Sequence, residues 1–277
     1  MTIYTTFLYN KYGYADFLRG AFSIFVFCKL NNIENKIYIP NHNLNKCIEC
    51  LTDKLDYPMK GFVYYGVNPS VEMLVNELNK CKNPEYNVII YTNFFDYVSF
   101  DILKKYIKEF KDFLKLKPIV KERIENLKQT CSEYTAIHIR CGDKFIECEN
   151  LSHNSICIDP RDNKLFINLE KIIEYLKEKY NLPICIFTDV KSLKNKICNK
   201  YNLIGFNTEI HHITAFSNNE YAFIDTLAEF ELLGNSKEIV KMTNTGFVYW
   251  TAFINEVPLF IYNIEKNTID PYIKLKY

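Results

Sequence analysis

The sequence predicts an α/β fold built from two domains, residues 1–115 and 116–277. Strand patterns and helix patterns alternate in both halves of the chain, an order that is typical of parallel sheets covered by helices. Two charged helical segments separate the halves. A chain of 277 residues, 48% of them hydrophobic, is also long enough to form one large core or two ordinary ones.

The first half opens with a strand pattern at Ile3–Tyr9, and a turn signal then leads into an amphipathic helix. Apolar residues recur along that helix at helical spacing, at Phe17, Ala21, Ile24, Phe25 and Cys28. The patterns that follow are strands at Lys36–Ile39 and Phe62–Tyr65, a helix from Pro69, and a strand at Val88–Tyr91. This order predicts a sheet built from βαβ units.

The connection between the halves consists of two predicted helices, Asp101–Leu114 and Pro118–Lys128. Pro118 suits the first turn of a helix, where its missing N–H is not needed. The second half then alternates between strands at Tyr134–Arg140, Pro183–Phe187, Glu238–Lys241 and Leu259–Tyr262 and helices at Leu169–Leu176, at Tyr221–Leu233 and from Gly246. We therefore expect a second α/β domain, with a cleft between it and the first.

The end of the strand at Arg140 is the most informative segment. Side chains two apart on a strand point the same way, so His138 and Arg140 share one face. Asp143 and Lys144 follow just beyond the carboxyl end of this strand, where open parallel sheets bind their ligands. Polar groups in such an apolar setting either form a buried network that orders the core or hold a phosphorylated ligand.

Composition argues against several classes of protein. The formal net charge is only +1, from 34 basic and 33 acidic residues, so bulk electrostatic binding of nucleic acid or of an anionic membrane is not expected. The longest apolar run, Ala21–Cys28, is shorter than a membrane span. Residues 1–29 do not resemble a signal peptide, so we expect a cytoplasmic protein whose 10 scattered cysteines are reduced.

The segment from His138 to Lys144 resembles the His-x-Arg-x-x-Asp signature of the fucosyltransferase superfamily, which covers α1,2-, α1,6- and protein O-fucosyltransferases. Three further segments agree with that family in order and spacing: the glycine-containing loop Tyr12–Gly20, the strand end Thr188-Asp189, and the turn Thr243–Gly246 with its helix. Cys141 is a departure, because many relatives carry a second arginine there.

The resemblance implies a GT-B fold, in which two Rossmann-like domains face a central cleft and the second holds most of a GDP-sugar. It implies that Arg140 binds the diphosphate and that His138 and Asp189 contact the guanine. The other residues that it assigns to the donor are Asp143, Thr243, Asn244, Thr245, Gly246, Gly13, Asp16 and Arg19. Asp16 as a helix cap and Arg19 as a surface residue explain those two residues equally well.

The chemistry of sugar transfer gives an independent reason for Arg140. When the nucleoside diphosphate leaves, negative charge grows on its β-phosphate, and a metal or fixed cations must stabilise it. The chain has no Asp-x-Asp motif for a metal, whereas a guanidinium can hold two phosphate oxygens at once. Thr243, Thr245 and the amides near Gly246 either add donors at a helix start or only cap that helix.

An inverting transferase also needs a base for the acceptor hydroxyl. Some relatives use a glutamate a few residues after the Asp-Lys pair, and Glu147 and Glu149 follow here at a different spacing. We choose Glu147, with Lys144 as a neighbour, while a solvated loop charge is the alternative for either glutamate.

Other kinds of site find less support. A zinc site at Cys47-x-x-Cys50, with His42 and Cys81, lacks the usual second close pair of ligands. We predict a metal-independent, inverting fucosyltransferase that uses GDP-fucose, needs no cofactor, and acts on a glycan or a glycoprotein. The alternatives are a related GT-B transferase for another nucleotide sugar, a non-catalytic nucleotide- or carbohydrate-binding descendant, and a structural protein without a ligand.

Overall fold

The computed structural model of the protein describes residues 2–6, 13–40, 42–53, 87–91, 98–141, 169–210, 220–242, 245–263 and 265–272. These residues form two compact units, the first up to Pro118 and the second mostly from Ile119 onward. The predicted strand Phe62–Tyr65 and the helix from Pro69 lie outside the described residues. The domain boundary at residue 115 stays a prediction, because a compact unit is not yet a domain that folds alone.

The first unit contains a three-stranded parallel sheet in the order β2-β1-β3. Its strands are β1 (Thr2–Thr6), β2 (Glu34–Ile37) and β3 (Asn87–Tyr91), and helix α1 (Tyr14–Leu30) connects the first two. The apolar stripe predicted for α1 is buried, including Phe17, Ala21, Ile24 and Cys28. A short 3₁₀ helix at Asn43–Lys46 follows β2.

The prediction of one helix at Asp101–Leu114 is wrong in one respect, because this segment forms two helices, α2 (Phe100–Lys104) and α3 (Ile107–Phe113). The N–H groups of Lys105 and Tyr106 bond to carbonyls three residues back, which tightens the chain into a turn between them. In α3, Phe110 stacks on Phe22 of α1 with ring centroids 4.2 Å apart.

The second unit contains a five-stranded sheet in the order β5-β4-β6-β7-β8. Its strands are β4 (Thr135–Ile139), β5 (Ile184–Thr188), β6 (Ile239–Lys241), β7 (Leu259–Asn263) and β8 (Thr268–Pro271). Its helices are α4 (Pro118–Lys128), α5 (Leu169–Lys179), α6 (Lys191–Tyr201), α7 (Glu220–Gly234) and α8 (Gly246–Asn255). Only β8 runs antiparallel to its neighbour. The predicted α/β fold with parallel sheets is confirmed.

Helices cover both faces of this sheet, so successive residues of β4 enter different apolar layers. Ile137 and Ile139 belong to a buried cluster with Ile172 and Leu176 of α5. His138 points to the other face and stacks on Phe247 of α8, which in turn meets Phe230 of α7 edge-on. Burial on both faces explains why β4 reads as an almost continuous apolar run.

The order of the strands creates a switch point beside β4. The chain leaves β4 for β5 on one side, and later crosses to β6 on the other side. Because β4 is followed by α5 on one face of the sheet and β6 by α8 on the other, we expect a crevice between the carboxyl ends of these two strands. Open α/β sheets bind their ligands in such crevices.

Besides the short 3₁₀ helix, α6 and β8 have no counterpart in the sequence prediction. Helix α6 is rich in lysine, and one lysine, Lys194, occupies a buried position through an ion pair with Glu229, which obscures the apolar period. Strand β8 is short and ends at Pro271, as an edge strand can. Of the helices in the described residues, none is long and apolar enough to cross a membrane.

Candidate functional site

Arg140 and Asp189 meet at the carboxyl edge of the second sheet. Ile139 is paired with Thr188, so the residue that follows each strand lies next to the other. The guanidinium Nε of Arg140 lies 3.2 Å from Oδ2 of Asp189, and both side chains are mostly buried, at 20% and 13% exposure. The other carboxylate oxygen, Oδ1, accepts the N–H of Cys141 at 2.7 Å. Asp189 therefore fixes both the side chain of Arg140 and the backbone after it.

His138 lies beside this ion pair and is buried. Burial lowers its pKa to about 4, against the opposing effect of the Asp189 carboxylate, so the imidazole is neutral near pH 7. Its Nδ1 atom is buried and has no hydrogen-bond partner within the described residues. Buried polar atoms are normally paired, so this nitrogen is suited to a ligand that enters the crevice.

Lys241 is a residue of the site that the sequence did not single out. It ends β6, is paired in register with His138, and is fully buried, at 0% exposure. Its Nζ lies 3.2 Å from the centroid of the Tyr272 ring. Burial lowers the pKa of Lys241 to about 7. The only signal in the sequence was a lysine at the end of an apolar strand, which is also a common boundary residue.

Helix α8 begins next to β6 and presents its amino end at the same edge. The hydroxyl of Thr245 accepts the N–H of Phe247 at 3.2 Å and so caps the helix, the simpler of the two roles considered for it. A hydroxyl that accepts a cap bond still has a hydrogen to donate. Gly246 is exposed at the first helical position, and Trp250 is buried one turn further on.

Cys141, the departure from the family pattern, points away from the site. Its side chain is fully buried among the apolar residues of the other face, and its Sγ lies 3.7 Å from the Thr188 hydroxyl. A side chain at this position lies in the core, so the backbone N–H, rather than the thiol, is what Cys141 contributes near Arg140.

The remaining predicted residues are either in the first unit or outside the described part of the chain. In the first unit, Asp16 accepts the N–H of Gly13 at 3.0 Å and caps α1, and Arg19 is half-buried on the same helix. Their part in a ligand site stays a prediction. The residues that fall outside the described part of the chain are Asp143, Lys144, Glu147, Glu149, Thr243 and Asn244.

Metal-binding side chains do not cluster in the described part of the chain, where no group of three or more His, Cys, Asp or Glu residues is placed to hold an ion. His42, considered with Cys47 and Cys50, accepts the N–H of Leu44 on its Nδ1 at 3.1 Å. This nitrogen caps the 3₁₀ helix.

The fold and the edge site define a GT-B type of protein, and solved structures share this architecture. No family model matches the sequence, and no curated protein matches it either. The structure of the alpha-1,6-fucosyltransferase NodZ soaked with GDP-fucose aligns with 98% of this chain and 99% of its own, with a TM-score of 0.60 and 12% identity. A further NodZ structure, from Bradyrhizobium, has a TM-score of 0.57.

Two other fucosyltransferase structures are similar. The structure of POFUT1 in complex with GDP aligns with 95% of this chain and 99% of its own, with a TM-score of 0.55 and 9% identity. The structure of a mutant of Arabidopsis thaliana FUT1 in complex with GDP aligns with 94% of this chain and 70% of its own, with a TM-score of 0.56 and 9% identity. At these identities the likeness shows the fold. It confirms the predicted GT-B fold class and the structural resemblance to fucosyltransferases.

Proposed function

We propose that the protein is a glycosyltransferase that binds a GDP-sugar at the carboxyl edge of its second sheet. The observation that carries the proposal is the mostly buried Arg140–Asp189 pair beside His138, at the switch point of the sheet. The solved structures with the same fold include fucosyltransferases in complex with GDP or soaked with GDP-fucose. GDP-fucose is therefore the donor that we propose, and a glycan or glycoprotein the acceptor.

Arg140 would stabilise the leaving group. In the proposed reaction an acceptor oxygen attacks the anomeric carbon from the face opposite the diphosphate, so the configuration inverts. The bond between that carbon and the phosphate oxygen breaks, and its electron pair goes to the β-phosphate of GDP. The guanidinium of Arg140 has five N–H donors, of which Nε faces Asp189. A guanidinium held in place by a carboxylate needs little reorganisation to meet the growing charge.

Other groups at this edge would hold the nucleotide. A neutral imidazole has one donor and one acceptor, so His138 can meet a base edge that offers both kinds of group. The Thr245 hydroxyl and the amides that open α8 are suited to a phosphate. Thr243, Asn244 and Asp143 belong to this proposal through the family resemblance alone.

The proton of the acceptor hydroxyl would pass to Glu147, with Lys144 nearby, and Glu149 is the alternative base. The E147Q and E149Q variants test this choice, because each removes one carboxylate and keeps its shape. We expect E147Q to lose transfer and to keep GDP binding, with E149Q close to wild type. The reverse pattern would transfer the role to Glu149.

We also expect full activity in a chelator; recovery of lost activity by Mg²⁺ or Mn²⁺ would contradict metal independence.

Replacement of Arg140 tests the proposal most directly. We expect R140A to abolish the thermal stabilisation that GDP gives the wild-type protein and to lower transfer by a factor of about 10² or more, the usual cost of removing a transition-state donor. R123A is a matched control, because Arg123 also pairs with a mostly buried aspartate, Asp225, at 2.7 Å. R123A should keep GDP binding.

A thermal-shift panel of GDP, UDP, CMP and their sugars identifies the donor class. Selective stabilisation by GDP and GDP-fucose is the expected result. Selective stabilisation by UDP compounds would contradict the proposed donor, and GDP binding without hydrolysis or transfer in the presence of glycan acceptors would contradict the proposed catalysis.

A further inference from the structure

A cavity lies between α4 and the amino-terminal part of α7, two helices of the second unit. Its volume is about 390 Å³, within the range of small-molecule sites. The residues that line it recur three or four positions apart on each helix, so each helix contributes one face. They include Ile119, Glu122, Arg123 and Asn126 of α4 and Tyr221 and Asp225 of α7.

The direction of α7 places this cavity on the carboxyl side of the second sheet. Lys194 lies near the start of α6, just after the end of β5, and its amine pairs with Glu229 of α7. Asp225 and Tyr221 lie one and two turns closer to the amino end of α7. Because α7 leads back to the start of β6, that end lies on the side of the sheet where we propose that the donor binds.

Two apolar side chains that line the cavity are exposed to solvent. Tyr221 is 76% exposed and Ile119 is 45% exposed, and only three other large hydrophobic side chains of the described residues are exposed at all. Exposed apolar groups that gather at one cavity indicate a surface that binds a ligand. The ring of Tyr221 offers such a ligand a flat apolar face.

The polar side chains of the cavity are of two kinds. Arg123 and Asp225 hold each other in place, with Nε and Oδ1 2.7 Å apart, and the second oxygen of Asp225 accepts the N–H of Glu209 at 2.8 Å. Glu122 and Asn126 are exposed and have no hydrogen bond or ion pair with the part of the chain that the structure describes. A carboxylate accepts hydrogen bonds, and an amide both donates and accepts them.

The charges of the cavity favour a neutral ligand. The carboxylate of Glu122 repels an anion such as a phosphate, and the guanidinium of Arg123 repels a cation. A pyranose sugar is neutral, has a face of C–H groups, and carries hydroxyls that both donate and accept at its rim. These features are complementary to an exposed aromatic ring beside a carboxylate and an amide.

We propose that this cavity binds a pyranose residue of a neutral oligosaccharide. Tyr221 stacks on the C–H face of the sugar, and Glu122 and Asn126 bond to its hydroxyls. The inference rests on the proposed function in one respect, since it takes this oligosaccharide to be the acceptor.

The distance to the proposed donor site suits an oligosaccharide. Tyr221 lies nine residues before Phe230, about 13 Å along the axis of α7. Phe230 contacts Phe247, which stacks on His138. A chain of a few sugars spans a distance of this order, so the cavity holds a part of the acceptor that is remote from the reacting hydroxyl.

Calorimetry with neutral tetrasaccharides of glucose, N-acetylglucosamine, mannose and galactose tests the inference. We expect the wild type to bind at least one of them and Y221A to bind it at least about tenfold more weakly, because the stacking face is lost. Y221F keeps the ring and should keep most of the affinity. The double variant E122A/N126A, which loses the hydrogen bonds of both side chains, should also bind about tenfold more weakly.

E125A is a matched control. Glu125 is exposed on the same helix, does not line the cavity and pairs with Lys128, so E125A should bind the sugar like the wild type. Equal binding by the wild type and Y221A would overturn the inference. Binding of inorganic phosphate or choline at the cavity in preference to every tetrasaccharide would overturn it as well.

Kinetics and GDP binding separate this inference from the proposed function. With the bound tetrasaccharide as acceptor, Y221A should raise KM for the acceptor and leave kcat unchanged, as expected for a contact remote from the reacting atoms. A lower kcat with an unchanged KM would overturn the remote role. Failure of GDP to bind the wild type would contradict the proposed function, whatever the tetrasaccharides do. GDP binding without binding of any tetrasaccharide would overturn only the sugar site.

Discussion

Asp189 has a double role in the structure that bears on what it can do for a ligand. One carboxylate oxygen accepts the N–H of Cys141, and the other faces the guanidinium of Arg140. The family resemblance assigns the same carboxylate to the guanine. A carboxylate oxygen accepts two hydrogen bonds, so anchoring Arg140 and reading the base are compatible but separable roles.

D189N separates these roles when GDP is compared with inosine diphosphate, whose base lacks the exocyclic amino group. If Asp189 mainly anchors Arg140, D189N weakens the binding of both nucleotides by the same factor, and this is the result that we expect. Whichever way the amide turns, its NH2 group meets another donor, either the Arg140 guanidinium or the Cys141 N–H, and this disturbs the arrangement. Calorimetry with each nucleotide measures both factors. A selective loss of the preference for GDP would instead assign Asp189 to the base.

The sequence predicts those residues of the site that follow one another along a single strand. The two-residue period of a strand places His138 and Arg140 on one face, and the structure has His138 on the face opposite Ile137 and Ile139. Partners far apart along the chain are not predictable in this way. The pairing of Arg140 with Asp189 and of His138 with Lys241 depends on strand order, which the pattern of a single strand does not contain.

At the scale of elements, the segment 206–209 is held by charged groups of three helices. Arg123 of α4 donates to the carbonyl of Asn207 at 2.6 Å and pairs with Asp225 of α7. One turn further along α7, Glu229 lies 2.8 Å from Lys194 of α6 in a fully buried ion pair. The Lys194 amine also donates to Phe206 and Thr208. These contacts tie α6 and α7 together within the crossover from β5 to β6.

Replacement of Lys194 by methionine should destabilise the protein strongly. K194M leaves Glu229 buried without its ammonium partner, and such a loss costs about 3–5 kcal/mol of the free energy of unfolding. Urea unfolding at pH 7 measures the cost. K196M makes the same substitution at an exposed position of α6 and should change stability by less than about 0.5 kcal/mol. The double variant K194M/E229Q should recover part of the loss; a double variant as unstable as the sum of its single changes would contradict the coupling.

The same ion pair shows why α6 is absent from the prediction, whereas α4 and α5 are present. Helix α4 begins at the predicted Pro118, and α5 buries the predicted residues Leu169, Ile172, Ile173 and Leu176. In α6 one of the three buried residues is a lysine, Lys194, so the sequence there looks solvated. Lys194 is buried because it pairs with Glu229, 35 residues further along the chain. A short stretch of sequence around Lys194 contains no sign of this partner.

At the scale of the whole molecule, the chain divides into two units, and the described groups of the proposed donor site lie in the second. The predicted contributions of Gly13, Asp16 and Arg19 come from the first. Each unit has its own sheet and its own buried layer, so ligand effects on the two can be measured separately.

Hydrogen exchange with and without GDP tests this division. We expect slower amide exchange in the second unit, at the ends of β4 and β5 and at the start of α8, because bound phosphate and base order these backbone segments. Exchange in β1 and β2 should stay unchanged and serves as the internal reference. Slower exchange confined to the first unit would contradict the assignment of the donor to the second.

The location of Trp250 has a practical consequence. It is the single tryptophan of the chain, it is buried in α8 at 3% exposure, and its ring meets those of Tyr249 and Phe253 edge-on at 5.7 and 5.5 Å. The helix that carries it starts at Gly246, beside the proposed phosphate contacts. Its fluorescence is thus a built-in optical reporter of that helix, and occupancy of the crevice can be followed in real time without any attached dye.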